Sequence, residues 1–81
     1  MNIGILGIGK LGLCFGLNLE NKGFTVVGVD VHEGYVNSIN SKTLFSFEPQ
    51  VNELLKASLN FSATTAITEV LADDFMLLFI M

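Results

Sequence analysis

The sequence predicts an α/β fold, in which a parallel sheet of about four strands is flanked by helices. Three observations predict it. Segments with the composition of strands alternate with segments of helical periodicity along the 81 residues, and this alternation is typical of parallel sheets with helical crossovers. A glycine-rich turn joins the first strand-like segment to the first helical one, and an acidic residue follows the second strand-like segment.

The first strand is predicted over Asn2–Leu6, a short apolar run that ends in glycines. A helix over Leu11–Lys22 follows, and Gly23 is the residue type expected just past a helix C-terminus. The apolar residues that share one face of this helix, and that we expect to point inward, are Leu11, Cys14, Phe15 and Leu19.

The second strand is predicted over Phe24–Val29, which is rich in β-branched residues and is closed by Asp30. Glu33–Asn40 follows as a short helix, with Val36 and Ile39 directed inward.

A loop over Ser41–Glu48 is predicted to lead into a third helix. Pro49 suits the first helical position, where its missing N–H is not needed. The helix is expected to run to about Leu59. The apolar residues on its inward face are Val51, Leu54, Leu55 and Leu59.

The last part of the chain is predicted to hold two strands around a fourth helix. Phe61–Thr64 is the third strand, and Thr65 caps the helix that follows it. The inner face of that helix consists of Ile67, Val70 and Leu71. Asp73 and Asp74 then precede a fully apolar fourth strand, Phe75–Ile80.

Right-handed crossovers place these strands in the order 3-2-1-4, which is the first half of a doubly wound, or Rossmann, fold. In such a sheet the fourth strand normally has a neighbour on each side. A chain ending at Met81 is therefore expected to leave Phe75–Met81 as an unpaired apolar edge, with poor solubility or self-association as the consequence.

Composition excludes several classes of function. The net charge is −4, and the four basic residues are all Lys, so the basic stripe that nucleic acids or anionic membrane surfaces require is missing. The apolar runs are far shorter than the roughly 18 residues of a membrane span. A single cysteine excludes a disulfide framework and a cysteine metal cluster. We therefore expect a soluble protein of the reducing cytoplasm.

A phosphate-binding loop is predicted where residues 7–12 read G-x-G-x-x-G, between the first strand and the first helix. Gly7 permits the tight turn, Gly9 lets the backbone approach a pyrophosphate, and Gly12 lets the helix pack closely on the strand. The amides of Lys10 and Leu11 point toward phosphate at the helix N-terminus. A strand–helix turn without a ligand is the alternative, and the structural context favours cofactor binding.

Asp30 is predicted to bind the adenosine ribose of the cofactor. It lies 18 residues after Gly12, near the spacing of about 20 residues expected for this acid. Its charge would repel a 2′-phosphate, so NAD is favoured over NADP. The alternative is that Asp30 caps the following helix. The Lys10 side chain is expected to face solvent or the phosphates, since the P-loop pattern does not fit here.

Other reactive residues have structural interpretations. Cys14 is expected to be a buried, unreactive thiol on the inward face of the first helix. His32 is expected to be a solvated loop residue near the adenine. Asp73 and Asp74 are expected to mark a turn without a metal, since no third ligand is near them in the sequence.

The sequence resembles the UDP-glucose/GDP-mannose dehydrogenase family. The resemblance covers nearly the whole chain and is carried by the strings MNIGILGIGKLGL, GFTVVGVDVHEGYVNSIN, FEPQVNELL and FSATTAITEVL. Its most specific part is the E-P-x-V/L-x-E-L-L segment, which reads Glu48–Leu55 here. Other Rossmann dehydrogenases seldom carry this segment.

The resemblance implies residues 1–81 as the first half of an NAD-binding Rossmann domain. The whole enzyme would oxidise the C6 hydroxyl of a nucleotide sugar to a carboxylate with two NAD and would act as a homodimer. The cofactor positions carried over are Gly7, Ile8, Gly9, Lys10, Leu11, Gly12, Asp30 and Tyr35. Tyr35 stands where the family often has Arg or Lys, so an aromatic ring would stack or hydrogen-bond there instead. Gln50 and Ala66 are further departures from the family pattern.

The catalytic cysteine and the sugar-nucleotide domain of the family lie beyond Met81, and Cys14 does not match that cysteine. We therefore expect no catalytic residue among these 81 residues and no dehydrogenase activity from them alone. Two alternatives stay open at this point: a non-catalytic, regulatory NAD-binding module, and another Rossmann dehydrogenase of the 3-hydroxyacid or 6-phosphogluconate type. The E-P segment counts against the latter.

Overall fold

A computed structural model describes residues 1–72 and 74–79. Asp73, Ile80 and Met81, on which parts of the predicted acidic pair and fourth strand fall, lie outside the described residues. The elements are β1 (Asn2–Leu6), α1 (Lys10–Asn21), β2 (Thr25–Val29), α2 (Glu33–Asn40), α3 (Pro49–Ala57), β3 (Phe61–Thr64), a 3₁₀ turn (Ile67–Val70) and β4 (Phe75–Phe79).

The four strands form one parallel sheet in the order β3-β2-β1-β4, so the predicted fold class and strand order are confirmed. Leu6 of β1 lies opposite Val29 of β2, and the two strands therefore end side by side. The residues that follow them, Gly7 and Asp30, start from the same edge of the sheet. This register places the two predicted cofactor-binding segments next to each other.

The inward face of α1 differs from the predicted one. Leu11 and Phe15 are 67% and 43% exposed, whereas the buried residues of the helix are Gly12, Leu13, Gly16 and Leu17. A Cβ added at Gly16 would lie 2.9 Å from Ile5 Cδ1 and 2.8 Å from Phe61 Cε2. The helix backbone thus rests directly on the sheet along its glycines, as predicted at Gly12. Of the predicted inward face, Cys14 and Leu19 pack against the core, whereas Leu11 and Phe15 do not.

The second helix is confirmed over Glu33–Asn40 with Val36 and Ile39 buried. The third begins at Pro49 as predicted but ends at Ala57, because Ser58 turns to extended backbone with ψ 139°. Leu59, expected on the inward face, is therefore 90% exposed.

The predicted fourth helix is only a 3₁₀ turn capped by Ala66, not by Thr65. Val70 is the only buried residue of this turn and faces Gly4, where an added Cβ would meet Val70 Cβ at 2.7 Å. Ile67 and Leu71 are about half exposed. One turn offers a single inward position, which explains why the other two apolar residues stay outside.

The outer edge of β3 is covered by a side chain. Asn40 Nδ2 donates to the carbonyl of Ala63 at 2.8 Å, and the Ala63 N–H donates to Asn40 Oδ1 at the same distance. The amide side chain therefore imitates a strand at an edge that would otherwise present unpaired backbone.

The core lies between the sheet and the helices α1 to α3. Its fully buried side chains include Ile5, Ile8, Leu17, Val26 and Ile39. Within the described residues, no helix is long and apolar enough to cross a membrane.

Candidate functional site

The candidate site lies at the carboxyl ends of β1 and β2. Gly7 follows β1 with φ 88°, a left-handed conformation that a residue with a Cβ rarely adopts. Its N–H donates to the carbonyl of Val29 at 2.9 Å, which ties the start of the loop to the end of β2. The sharp turn predicted at Gly7 is therefore present, and its backbone conformation requires glycine.

The side chain of Ile8 fixes the loop to the sheet. The side chain is fully buried and lies against Gly28 of β2, where an added Cβ would come within 2.5 Å of Ile8 Cγ2. Ile8, one of the predicted cofactor positions, is therefore not exposed to a ligand. The missing Cβ at Gly28 lets Ile8 anchor the loop on the sheet.

The N-terminus of α1 presents free amides at the same edge. Gly9 is the N-cap residue, and the first backbone bond of the helix runs from Leu13 N–H to the Gly9 carbonyl at 2.8 Å. The amides of Lys10, Leu11 and Gly12 precede that bond and so have no acceptor within the helix. A Cβ added at Gly9 would meet no atom within 4 Å, so the space above this backbone is open to a ligand.

Asp30 lies directly after β2, half-buried, with its own N–H bonded to the Thr64 carbonyl at 3.0 Å. Its Oδ1 accepts the backbone N–H of His32 at 3.0 Å and lies 2.9 Å from His32 Nδ1. Because a carboxylate oxygen only accepts, Nδ1 carries the proton in this contact. The sequence missed the pairing of His32 with Asp30, and His32, not Asp30, caps α2.

The charge state of Asp30 follows from these contacts. Burial alone would raise the pKa of its carboxyl, but the hydrogen bonds from the His32 backbone and ring, the charge of His32 and the backbone of Ile8 outweigh it. The pKa is therefore lowered from the ordinary 3.8. Asp30 is ionised at neutral pH and ready to accept hydrogen bonds from a sugar diol.

Tyr35 reaches the loop from α2. Its ring is half-buried, and its hydroxyl donates to the carbonyl of Ile8. Burial, followed by the negative charge of Asp30, raises the pKa of the Tyr35 phenol above 10.0. The hydroxyl is therefore protonated at neutral pH and able to donate. The structure brings Tyr35 to the predicted site, but its polar group contacts the loop backbone.

A cavity of about 300 Å³ opens beside residues 7–12, the glycine loop. Glycine-loop residues and Tyr35 line one side of it. The other side comes from the loop before α3, which is not among the predicted site residues. The residues that this loop and α3 contribute are Leu44, Phe45, Ser46, Phe47 and Val51. The sequence signal for it was two aromatic residues, Phe45 and Phe47, in the loop predicted over Ser41–Glu48.

The loop that presents Phe45 and Phe47 is braced by hydrogen bonds. The Ser46 N–H donates to Asn52 Oδ1, and Asn52 Nδ2 donates to the Ser46 carbonyl, both at 2.8 Å. At the other end, the ammonium of Lys42 donates to the carbonyls of Leu55 and Ser58. The two rings, 75% and 92% exposed, meet edge to face at 6.0 Å.

Two further candidates lie away from this arrangement. Cys14, expected to be buried, is half-buried on α1 and packs against the core, and its carbonyl accepts the side-chain amide of Asn18. Asp74 accepts Asn2 Nδ2 at 2.9 Å, before β4. Across residues 1–72 and 74–79, no three potential metal ligands of the types His, Cys, Asp and Glu come together.

The arrangement joins an anion site to a diol site. Free amides at the positive end of α1 suit phosphate oxygens, and the ionised Asp30 suits two hydroxyls. Both stand at the ends of adjacent parallel strands, where ligands of doubly wound folds bind. A molecule with a phosphate group a few ångströms from a ribose satisfies both at once.

Comparisons with known proteins agree with this chemistry. Residues 1–81 match the UDP-glucose/GDP-mannose dehydrogenase family, NAD binding domain. A UDP-N-acetyl-D-mannosamine dehydrogenase of Methanococcus maripaludis strain S2 is 38% identical over 76 residues, covering 90% of this chain and 17% of that protein. The protein of the same description from strain C7 is 41% identical over 56 residues, covering 69% of this chain and 13% of its own length.

A solved structure shares the fold. The GDP-mannose dehydrogenase of Pseudomonas aeruginosa, determined as a ternary complex, superposes with a TM-score of 0.83 and 30% identity. The match covers 96% of this chain and 19% of that one. The chain therefore spans less than one fifth of the length of the relatives it matches.

Proposed function

The chain belongs to the UDP-glucose/GDP-mannose dehydrogenase family, and from that premise we propose that it holds NAD for an enzyme that oxidises the C6 hydroxyl of a nucleotide-linked sugar to a carboxylate. One observation supports the proposal above the others. The free amides of α1 and the ionised Asp30 start from the ends of neighbouring strands, at one edge of the sheet. A single dinucleotide lying across β1 and β2 would meet both.

In this proposal each residue of the site has a role. Gly7 makes the turn, Gly9 leaves room for the pyrophosphate, and the amides of Lys10 and Leu11 donate to its oxygens. Asp30 accepts the hydroxyls of the adenosine ribose. Gly12 is buried and contributes close helix–sheet contact. When bound, NAD supplies the acceptor for a hydride leaving the substrate carbon.

The proposed substrate is a sugar joined to a nucleoside diphosphate. Converting a primary alcohol to a carboxylate removes two hydrides and adds the oxygen of one water, so two NAD are reduced for each sugar. The relatives are named for UDP-N-acetyl-D-mannosamine and GDP-mannose, which differ in both base and sugar. We propose that the sugar contacts come from other parts of the whole protein, and substrate choice is left to experiment.

The first test is NADH formation by the whole protein that contains this chain. It is measured at 340 nm with UDP- and GDP-linked sugars, including the two named above, and the acid product is counted by mass spectrometry. We expect two NADH per acid formed with one nucleotide class. A 6-deoxy nucleotide sugar is the control, because it lacks the reacting hydroxyl. No turnover with any nucleotide sugar, while NAD still binds, would favour a regulatory NAD-binding module.

Replacing Asp30 by Ala should weaken NAD binding about 10- to 100-fold, as expected when hydrogen bonds to a charged group are lost. It should also narrow the preference for NAD over NADP, because the charge that repels the 2′-phosphate is removed. Calorimetric titrations of both cofactors measure this. Asp74→Ala is the matched control, since it removes the same charge from a residue bonded to Asn2 at the opposite end of β1. Equal losses in both variants would show a general charge effect.

The pKa of Asp30 also predicts a pH dependence. Because the folded pKa is lowered from 3.8, the carboxylate contributes stability above that value, and the contribution is lost as the pH falls through the lowered folded pKa. The part of NAD affinity that depends on Asp30 should follow the same course, constant from neutral pH down toward 3.8 and declining below it. Comparing wild type with Asp30→Ala across pH isolates this part.

A further inference from the structure

Tyr35 contacts the glycine loop through its hydroxyl, which donates to the carbonyl of Ile8. We propose that Tyr35 is a positioning residue, which holds the glycine loop in the shape that receives a pyrophosphate. Its hydroxyl contacts the loop and not the cofactor. This inference rests on the proposed NAD site. Tyr35 would then affect phosphate binding through the backbone of the loop.

The direction of the Ile8 carbonyl determines part of the backbone conformation of the loop. A peptide unit is planar, so fixing the carbonyl of Ile8 also fixes the direction of the Gly9 N–H on the other side of the same peptide bond. Gly9 then caps α1, where the free amides begin. The orientation of one carbonyl therefore sets the Gly9 N–H, directly before the amides that would meet the phosphates.

The loop is held on two sides. On the side of the sheet, the Ile8 side chain is fully buried against Gly28 of β2. From α2, the Tyr35 hydroxyl holds the carbonyl of the same residue. Without the bond from the Tyr35 hydroxyl, the Ile8 side chain would stay buried in the core. The peptide unit between Ile8 and Gly9 would, however, lose the hydrogen bond that fixes its orientation.

Tyr35 itself is well supported for this role. It stands on α2 one residue before the buried Val36, and α2 packs in the core through Val36 and Ile39. Its ring lines the cavity together with Gly9 and Lys10. The tyrosine therefore joins a helix packed in the core to an exposed loop, and it does so without adding a positive charge beside Asp30.

The test compares ligands with and without the pyrophosphate. ADP and adenosine are titrated against the whole protein as wild type, Tyr35→Phe and Ser38→Ala. Tyr35→Phe keeps the ring and removes only the donor. We expect it to weaken ADP about fivefold, the effect of losing one neutral hydrogen bond, and to leave adenosine unchanged. Ser38→Ala removes a hydrogen bond within α2 and should change neither.

Each other result has a defined meaning. Equal weakening of ADP and adenosine would overturn the proposal, because Tyr35 would then contact the adenosine directly. Unchanged ADP binding would overturn it as well. If wild type binds neither ADP nor NAD, the proposed function itself fails. Hydrogen exchange without ligand adds a second measurement: the bonded amides that flank the loop, those of Gly7 and Leu13, should exchange faster in Tyr35→Phe than in Ser38→Ala.

Discussion

Replacing Gly9 by valine should abolish NAD binding while leaving the fold intact. A Cβ at Gly9 meets no atom within 4 Å, and its φ of −59° lies outside the left-handed region that favours glycine. The new side chain would instead fill the open space above the loop, where we place the pyrophosphate. Losing two charge-assisted hydrogen bonds corresponds to at least about 100-fold in affinity, whereas the change at an N-cap should alter the unfolding free energy by less than about 1 kcal/mol.

Calorimetry with NAD and urea unfolding measure the two effects in the same preparation. Gly34→Ala is the matched control, because a Cβ there also meets nothing within 4 Å and the residue lies on α2. It should gain about 0.5–1 kcal/mol of stability and bind NAD normally. Normal NAD binding by the Gly9 variant would mean that the pyrophosphate does not lie over Gly9.

Replacing Gly28 by alanine should have the opposite profile, with a large loss of stability and a secondary loss of NAD affinity. The added Cβ would lie 2.5 Å from Ile8 Cγ2 and 2.8 Å from Ile8 Cδ1. Ile8 is fully buried and must move or strain β2, which costs about 1–3 kcal/mol for overpacking. Because Ile8 also carries the glycine loop, its displacement should weaken NAD binding. Urea unfolding and calorimetric titration measure the two losses.

A double-mutant cycle identifies the cause. In an Ile8→Ala background the side-chain atoms that clash with the added Cβ are gone, so the further cost of Gly28→Ala should fall by more than about 1 kcal/mol. Ile8→Ala alone will be destabilising, by about 2–5 kcal/mol for a buried aliphatic residue, and only the difference between backgrounds is interpreted. The same cost in both backgrounds would place the strain away from Ile8.

Most of the architecture could be predicted from the chain. The strands and the second helix were recognised from local patterns, and the start of the third helix from Pro49. The strand order followed from right-handed crossovers and is confirmed. The glycine loop and Asp30 were found because spacing and order along the chain bring them to one edge of the sheet.

The incorrect predictions for the inward faces of α1 and α3 share a cause. On α1, hydrophobicity pointed to Leu11 and Phe15, but the helix rests on the sheet through Gly12 and Gly16. Glycine has no side chain to register in a periodicity, yet it allows the closest approach. At Leu59, the apolar pattern continued past the point where the Ser58 backbone leaves the helix. Neither feature can be recognised from hydrophobicity alone.

The sequence by itself determined the order of elements, the parallel sheet and the edge that carries the candidate site, because these depend on local periodicity and on the handedness of short connections. Only the tertiary structure decided that Leu11 and Phe15 of α1 stay exposed, that His32 pairs with Asp30, and that Tyr35 bonds to the backbone of Ile8. Tyr35 and Ile8 are 27 residues apart in the chain. Contacts of this kind form only when packed helices bring separate segments within hydrogen-bonding distance, and local patterns do not encode that distance.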